Sequence, residues 1–242
     1  MMSAIEKEVL WAQDSQHEYR ANQNVRNALG KVTLGILVGP SSIGKSYAIQ
    51  KAMELDSDVS EAGTLTTRPA RANDSENYRA GLSTEAVVER IKAGSLVQYA
   101  VHPTSGDIYA TDLASYSTDF VLLPTLATSA DDFSDLGFKK IIPIGLLSDG
   151  LQWQERLEDR RNEKDFQKRM QEAKESIDWI KANFDRIIVL ENKSDQGEII
   201  GKQLIESIRG ESIETLSQEA ADQLYESMMK IIVSEEGLSS HE

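Results

Sequence analysis

Gly39-Pro40-Ser41-Ser42-Ile43-Gly44-Lys45-Ser46 is the stretch that decides the fold of this 242-residue chain. It satisfies G-x-x-x-x-G-K-[ST] at every fixed position. Val32-Thr33-Leu34-Gly35-Ile36-Leu37-Val38 before it reads as a buried strand, and Tyr47-Ala48-Ile49-Gln50-Lys51-Ala52-Met53 after it as a helix. A loop between a strand end and a helix start is where phosphate-binding chemistry needs such a motif. Glycines let the backbone wrap phosphate oxygens, successive N–H groups form an anion nest, and the helix N-terminus adds partial positive charge. The pattern predicts a nucleoside triphosphate, ATP, held by Gly39, Ser41, Ser42, Ile43, Gly44, Lys45, Ser46 and Tyr47. Lys45 is expected at the β- and γ-phosphates and the Ser46 hydroxyl on Mg²⁺.

Composition narrows the rest. Hydrophobic residues are 40% of the chain, enough for a core, and there is no Cys, which excludes disulfides, a thiol nucleophile and a Cys-based zinc site. The three histidines, His17, His102 and His241, are too scattered for a metal cluster, so metal is expected only as Mg²⁺ on the nucleotide. A formal net charge of −14 argues against nucleic acid as a partner. The N-terminal residues lack the apolar core of a signal peptide, and no apolar run approaches a membrane-spanning length. The chain is therefore read as cytoplasmic, with small-molecule nucleotide substrates and no membrane partner.

Outward from the loop, strands and helices alternate. Residues 3–28 read as one helix stopped by Gly30. Thr64–Thr67, Leu96–Val101 and Ile108–Ala110 read as strands, with a helix from an N-cap at Ser83 to Gly94 between the first two. Asp119–Leu123, closed by Pro124, reads as a core strand. So do Lys140–Leu146, despite Pro143, and Arg186–Leu190. Residues 151–183 read as a charge-rich helix, 196–208 as an amphipathic one with Ile199, Ile200, Leu204, Ile205 and Ile208 on one face, and 212–233 as a further one. The tail from Ser234 reads as frayed. The alternation predicts an α/β fold, a phosphate-loop NTPase core in which helices flank a parallel sheet. The expected division is an N-terminal helix (1–30), a main domain (31–210) and a C-terminal helix and tail (211–242). Within the main domain, 31–58 and 113–210 form the core with a helical lid near 150–168, and 59–112 form a mostly β acceptor-binding insertion. The terminal helices fit a homodimer or a protein partner without specifying either.

Thr66-Thr67-Arg68-Pro69-Ala70-Arg71, together with the phosphate loop, resembles guanylate kinases, the enzymes that phosphorylate GMP with ATP. The likeness runs from about residue 32 to 208. It implies that Arg68 and Arg71, assisted by Tyr78, grip the acceptor phosphate, with Thr64 and Asp74 at the same site. Ser105-Gly106-Asp107-Ile108-Tyr109-Ala110-Thr111 resembles the family's Gly-x-Tyr-Tyr-Gly-[ST], which implies phosphate or base contacts from Tyr109 and Thr111. Arg156-Leu157-Glu158-Asp159-Arg160-Arg161 and Arg169-Met170 resemble the lid and the arginine after it, which implies catalytic roles for Arg156, Arg160 and Arg169 beside Lys45. Two positions depart from the family. Gln98, in Val97-Gln98-Tyr99-Ala100, and Thr125, in Leu123-Pro124-Thr125-Leu126-Ala127, stand where guanylate kinases read guanine with carboxylates. The resemblance thus implies a nucleoside monophosphate kinase with GMP as acceptor. The lost acids leave open a sugar-phosphate kinase of the ribose-bisphosphate type or a guanylate kinase-like binding module.

Overall fold

The structure, a computed structural model, describes residues 2–71, 77–102, 105–158, 160–161 and 166–239, the last four of them by backbone alone. Along the chain come α1 (Ala4–Ser15), α2 (Gln23–Leu29), β1 (Thr33–Val38), α3 (Lys45–Leu55), β2 (Val59–Glu61), β3 (Thr64–Thr66), β4 (Tyr78–Arg79), α4 (Thr84–Lys92), β5 (Gln98–Val101) and β6 (Ile108–Thr111). Then follow β7 (Phe120–Thr125), β8 (Lys140–Leu147), α5 (Gly150–Glu158), α6 (Phe166–Ala182), β9 (Ile188–Glu191), α7 (Gly197–Arg209) and α8 (Gln218–Ser239), with short 3-10 turns between some of them. A parallel five-stranded sheet has the order β2-β7-β1-β8-β9, and a four-stranded sheet the order β4-β3-β6-β5. This is the expected α/β, phosphate-loop NTPase architecture.

The chain divides into two compact units, Met1–Thr33 with Ser60–Val121 and Asp132–Ile141, and Leu34–Val59 with Leu122–Asp131 and Ile142–Glu242. In the second unit, β1 is buried along its whole length, as a central strand covered on both faces must be. Leu34, Ile36, Ile144, Leu146 and Leu190 are among the buried core residues, each contributing roughly 1.5–3 kcal/mol by leaving water. Helices α3 and α7 pack together, and α8 packs on α5 and α6. In the first unit the four-stranded sheet buries Leu65, Tyr99, Val101, Ile108 and Ala110 against Val87, Val88 and Ile91 of α4 and Ala12 of α1.

Several elements differ from the sequence expectation, each for a local reason. The N-terminal helix is two helices. The Tyr19 hydroxyl donates to the Leu96 carbonyl at 2.7 Å and accepts from the Leu96 N–H at 3.2 Å, and Asn22 starts α2 by capping the Val25 N–H at 3.1 Å. Pro124 does not end β7, which runs to Thr125. Pro143 lies inside β8, one residue before the pairing Ile144↔Ile188 with β9. The charge-rich helix is broken into α5 and α6 around a turn at Arg160 and Arg161. Ile199 is half-exposed rather than on the buried face of α7. The frayed tail is instead helical to Ser239, and Glu235 in it is buried against Arg161.

Candidate functional site

The phosphate loop leaves β1 at Gly39 and enters α3 at Lys45. Ser42, at φ +62°, and Gly44, at φ +94°, hold left-handed conformations, which turn successive peptides into a concave nest. A side chain at Gly44 would collide with the Asn192 amide. Lys45 Nζ donates to the carbonyls of Gly39 (2.5 Å) and Pro40 (3.2 Å). Burial pushes its pKa down to about 8, against a smaller upward pull from Glu172. Ser46 is exposed at the first turn of α3. Tyr47 is half-exposed, its ring against Gly197.

Side chains from the same unit hold the loop's carbonyls. Asn192, just after β9, donates Nδ2 to the Ile43 carbonyl at 2.7 Å. Arg156 of α5 donates to the same carbonyl at 3.1 Å, to the Asn192 carbonyl at 3.0 Å and to Ser194 Oγ at 3.0 Å. The indole N–H of Trp153, also on α5 and fully buried, donates to the Ser41 carbonyl at 2.8 Å. Arg169 of α6 reaches Ser41 Oγ at 3.4 Å. Arg160 lies exposed in the turn after α5. Thr125, the last residue of β7, is half-buried at that strand's C-terminal end.

A nucleoside triphosphate fits this cradle. Ser42 Oγ, Ser148 Oγ and Asn192 Oδ1 are buried atoms with no hydrogen-bond partner, at the C-terminal ends of β1, β8 and β9, where parallel sheets bind ligands. No group of three His, Cys, Asp or Glu among the described residues could hold a metal by itself. Ser46 is the residue of the loop that could hold Mg²⁺. Asn192 and Trp153 were not anticipated. The available signals were an Asn directly after a core strand and a Trp on the helix following one.

The first unit carries the other group of candidates on one face of its small sheet. Gln98 pairs with Thr111, Ala100 and Thr66 with Tyr109, and Thr64 with Tyr78, and directly paired residues share a face. Leu65, Tyr99, Ile108 and Ala110 occupy the opposite, helix-covered face. Thr64, Tyr78, Gln98, Tyr109 and Thr111 are thus brought together by strand pleating alone. The two threonines before Arg68 shape its approach: Thr66 Oγ1 accepts the Arg68 N–H at 3.1 Å, and Thr67 Oγ1 accepts the Ile108 N–H at 2.9 Å. Arg68 is buried, donates to the Pro69 carbonyl at 2.7 Å and lies over the Tyr78 ring at 5.5 Å. Burial, then Tyr109, raise the Tyr78 phenol, with Arg68 pulling the other way. Gln98 Nε2 donates to the Tyr99 carbonyl at 2.9 Å, and Thr111 Oγ1 accepts from the Tyr116 hydroxyl at 2.9 Å. Arg71 is exposed, and Asp74 lies outside the described residues.

Two carboxylates in this unit went unforeseen. Glu61, at the end of β2, takes a long hydrogen bond from Asn77 (3.4 Å), and burial raises its carboxyl. Asp112 is buried beneath Arg79, which binds it through both oxygens (3.2 and 2.6 Å), and Arg90 (2.6 Å). Burial alone would raise its carboxyl; the two guanidinium groups outweigh that and hold it below the usual range.

No protein-family model matches the chain, and no curated protein matches it. Among solved structures, a guanylate kinase from Anaplasma phagocytophilum is similar, with a TM-score of 0.50 and 16% identity over 76% of this chain and 87% of that one. The likeness is one of fold.

Proposed function

We propose that this chain is an ATP-dependent phosphotransferase whose acceptor is a nucleoside monophosphate, GMP by its resemblance to guanylate kinases. The observation that carries the proposal is the phosphate loop, with left-handed Ser42 and Gly44, Lys45 at its centre, and its Ser41 and Ile43 carbonyls held by side chains. In this reading Lys45 leaves the Gly39 and Pro40 carbonyls for the β- and γ-phosphate oxygens. Ser46 would hold Mg²⁺, which would supply neutralisation of phosphate charge. Arg68, Arg71 and Tyr78 grip the acceptor phosphate, one oxygen of which attacks the γ-phosphorus. That oxygen forms the new bond as the bond to the β-phosphate oxygen breaks, and ADP leaves. In this reading Arg169 and Arg160 offset the developing charge. Arg156, with its guanidinium on loop carbonyls, acts by bracing the cradle.

The half-buried Gln98 and Thr125, in place of carboxylates, favour a second reading of the same chemistry, with a ribose phosphate as acceptor. A binding module without catalysis fits less well, since Lys45 and Ser46 are both in place. A cytoplasmic enzyme acting on small molecules agrees with the net charge of −14. No described helix is long and apolar enough to cross a membrane. The deciding experiment is a coupled ADP-release assay across GMP, dGMP, AMP, UMP, CMP and ribose phosphates. Turnover on GMP above the others supports the first reading, turnover on a ribose phosphate the second, and turnover on none refutes the phosphotransferase.

A further inference from the structure

We propose that Trp153 is a positioning residue of the phosphate loop: its indole N–H holds the Ser41 carbonyl outward and thereby aims the Ser42 N–H at the bound phosphates. The inference rests on reading residues 39–46 as a triphosphate cradle. In a trans peptide the carbonyl and the following N–H point in opposite directions. A donor that fixes the Ser41 carbonyl therefore fixes the direction of the Ser42 N–H. The 2.8 Å bond from Trp153 Nε1 does this from a fully buried ring. The peptide needs such a hold, because Ser42 is the one described non-glycine residue with positive φ, a conformation its Cβ disfavours. The same device recurs two peptides on, where Asn192 and Arg156 hold the Ile43 carbonyl and so orient the Gly44 N–H.

The helix carrying Trp153 is itself anchored. Asp149 Oδ1 accepts the N–H groups of Leu151 (3.0 Å) and Gln152 (3.3 Å). The Gly150 N–H donates to Ser227 Oγ of α8 at 3.1 Å, and α8 passes so close that any Cβ at Gly150 would strike the Ser227 backbone. The chain thus runs from α8 through the start of α5 to Trp153 and the Ser41-Ser42 peptide. A buried Trp takes some acceptor in any fold. What sets this one apart is that its acceptor is the peptide whose other end faces the ligand.

The test uses the full chain and two probes, MgATP and inorganic tripolyphosphate, titrated calorimetrically below the melting temperature of each variant. Trp153→Phe keeps the ring and removes the N–H. It is expected to weaken both probes by the same factor, roughly fivefold to tenfold, the worth of one net hydrogen bond. Unchanged binding of both probes would overturn the proposal, as would a loss for MgATP with none for tripolyphosphate, which would assign Trp153 to the nucleoside end. Should Trp153→Phe not fold, Trp11→Phe/Trp179→Phe leaves Trp153 as the sole indole. Its emission must then shift on adding either probe, and a constant spectrum at saturation overturns the proposal. Wild type that binds neither probe instead refutes the cradle itself, which separates the two failures.

Discussion

Arg156→Ala separates a brace from a transition-state arginine. The guanidinium makes three hydrogen bonds, to the carbonyls of Ile43 and Asn192 and to Ser194 Oγ. Charge-assisted bonds contribute about 1.5–3 kcal/mol each, but Arg156 is only partly buried and water replaces part of that, so a net loss of about 2–3 kcal/mol is expected. For a chain of this size each kcal/mol moves Tm by about 2–4 °C, so Tm should fall by about 4–12 °C. The Ile43 carbonyl keeps only Asn192, the Gly44 N–H is aimed less well, and MgATP should bind roughly tenfold to thirtyfold more weakly, or about 1.4–2 kcal/mol. At saturating ATP, kcat should change by less than about tenfold, whereas loss of an arginine finger costs roughly 10³-fold or more. Arg156→Lys should shift the same quantities by less, since an ammonium cannot span three acceptors in a fork. Differential scanning calorimetry, MgATP titration and steady-state kinetics give the three readouts. A fall in kcat of about 10³ with Tm and ATP affinity unchanged would refute the brace and restore Arg156 to the reacting phosphate.

Three further outcomes follow from the two units. Lys45→Ala should abolish ADP release while leaving the circular dichroism spectrum intact, and wild-type kcat/KM should decline as pH rises through about 8, where Lys45 of the ligand-free protein loses its proton; full activity in the variant would remove Lys45 from the mechanism. Because that lysine's folded pKa lies below its ordinary value, its burial opposes folding fully below pH 8, and the cost fades between there and the ordinary lysine value of about 10.4. Asp112→Asn should lower stability by about 2 kcal/mol, less than a fully buried pair because Arg79 and Arg90 are partly exposed. Asp112 has a lowered folded pKa, so its contribution is complete above the ordinary carboxylate value of about 3.9 and lost as pH falls through the lower one. Urea melts of both proteins should therefore converge in strong acid, and equal stability at pH 7 would show the cluster to be inert. Gln98→Glu should tighten GMP binding if guanine is the acceptor base, because the new carboxylate is repelled by the Tyr99 carbonyl that the amide now holds and turns to the open face. Calorimetric titration that finds GMP binding weakened would contradict that assignment of residue 98.

Much of this protein was legible in the order of its residues. The phosphate loop, the strand before it and the helix after it are local signals, since glycine placement and hydrophobic runs act within a few residues of themselves. The N-caps at Ser83 and Asn22 act over three residues, yet only the first was read, because the second hides inside an apparently continuous helix. That break is decided by Tyr19 reaching Leu96, 77 positions away. Of the strands carrying Thr64, Tyr78, Gln98, Tyr109 and Thr111, β5 alone alternates strictly in burial, and it is their pairing that shows that these five share one face. Arg156 and Arg160 sit four apart in a charged run and look equivalent. The turn of α5 directs Arg156 into the loop's carbonyls, whereas Arg160 is exposed in the turn that follows. Asn192, Trp153 and Asp112 carry no motif at all. Their partners lie 149 positions away for Asn192, 112 for Trp153, and 33 and 22 for Asp112. The sequence by itself determined where the glycine-containing loop joins β1 to α3, because that depends on contiguous backbone; the tertiary structure alone decided which side chains hold that backbone in shape, because a hydrogen bond depends on distance through space.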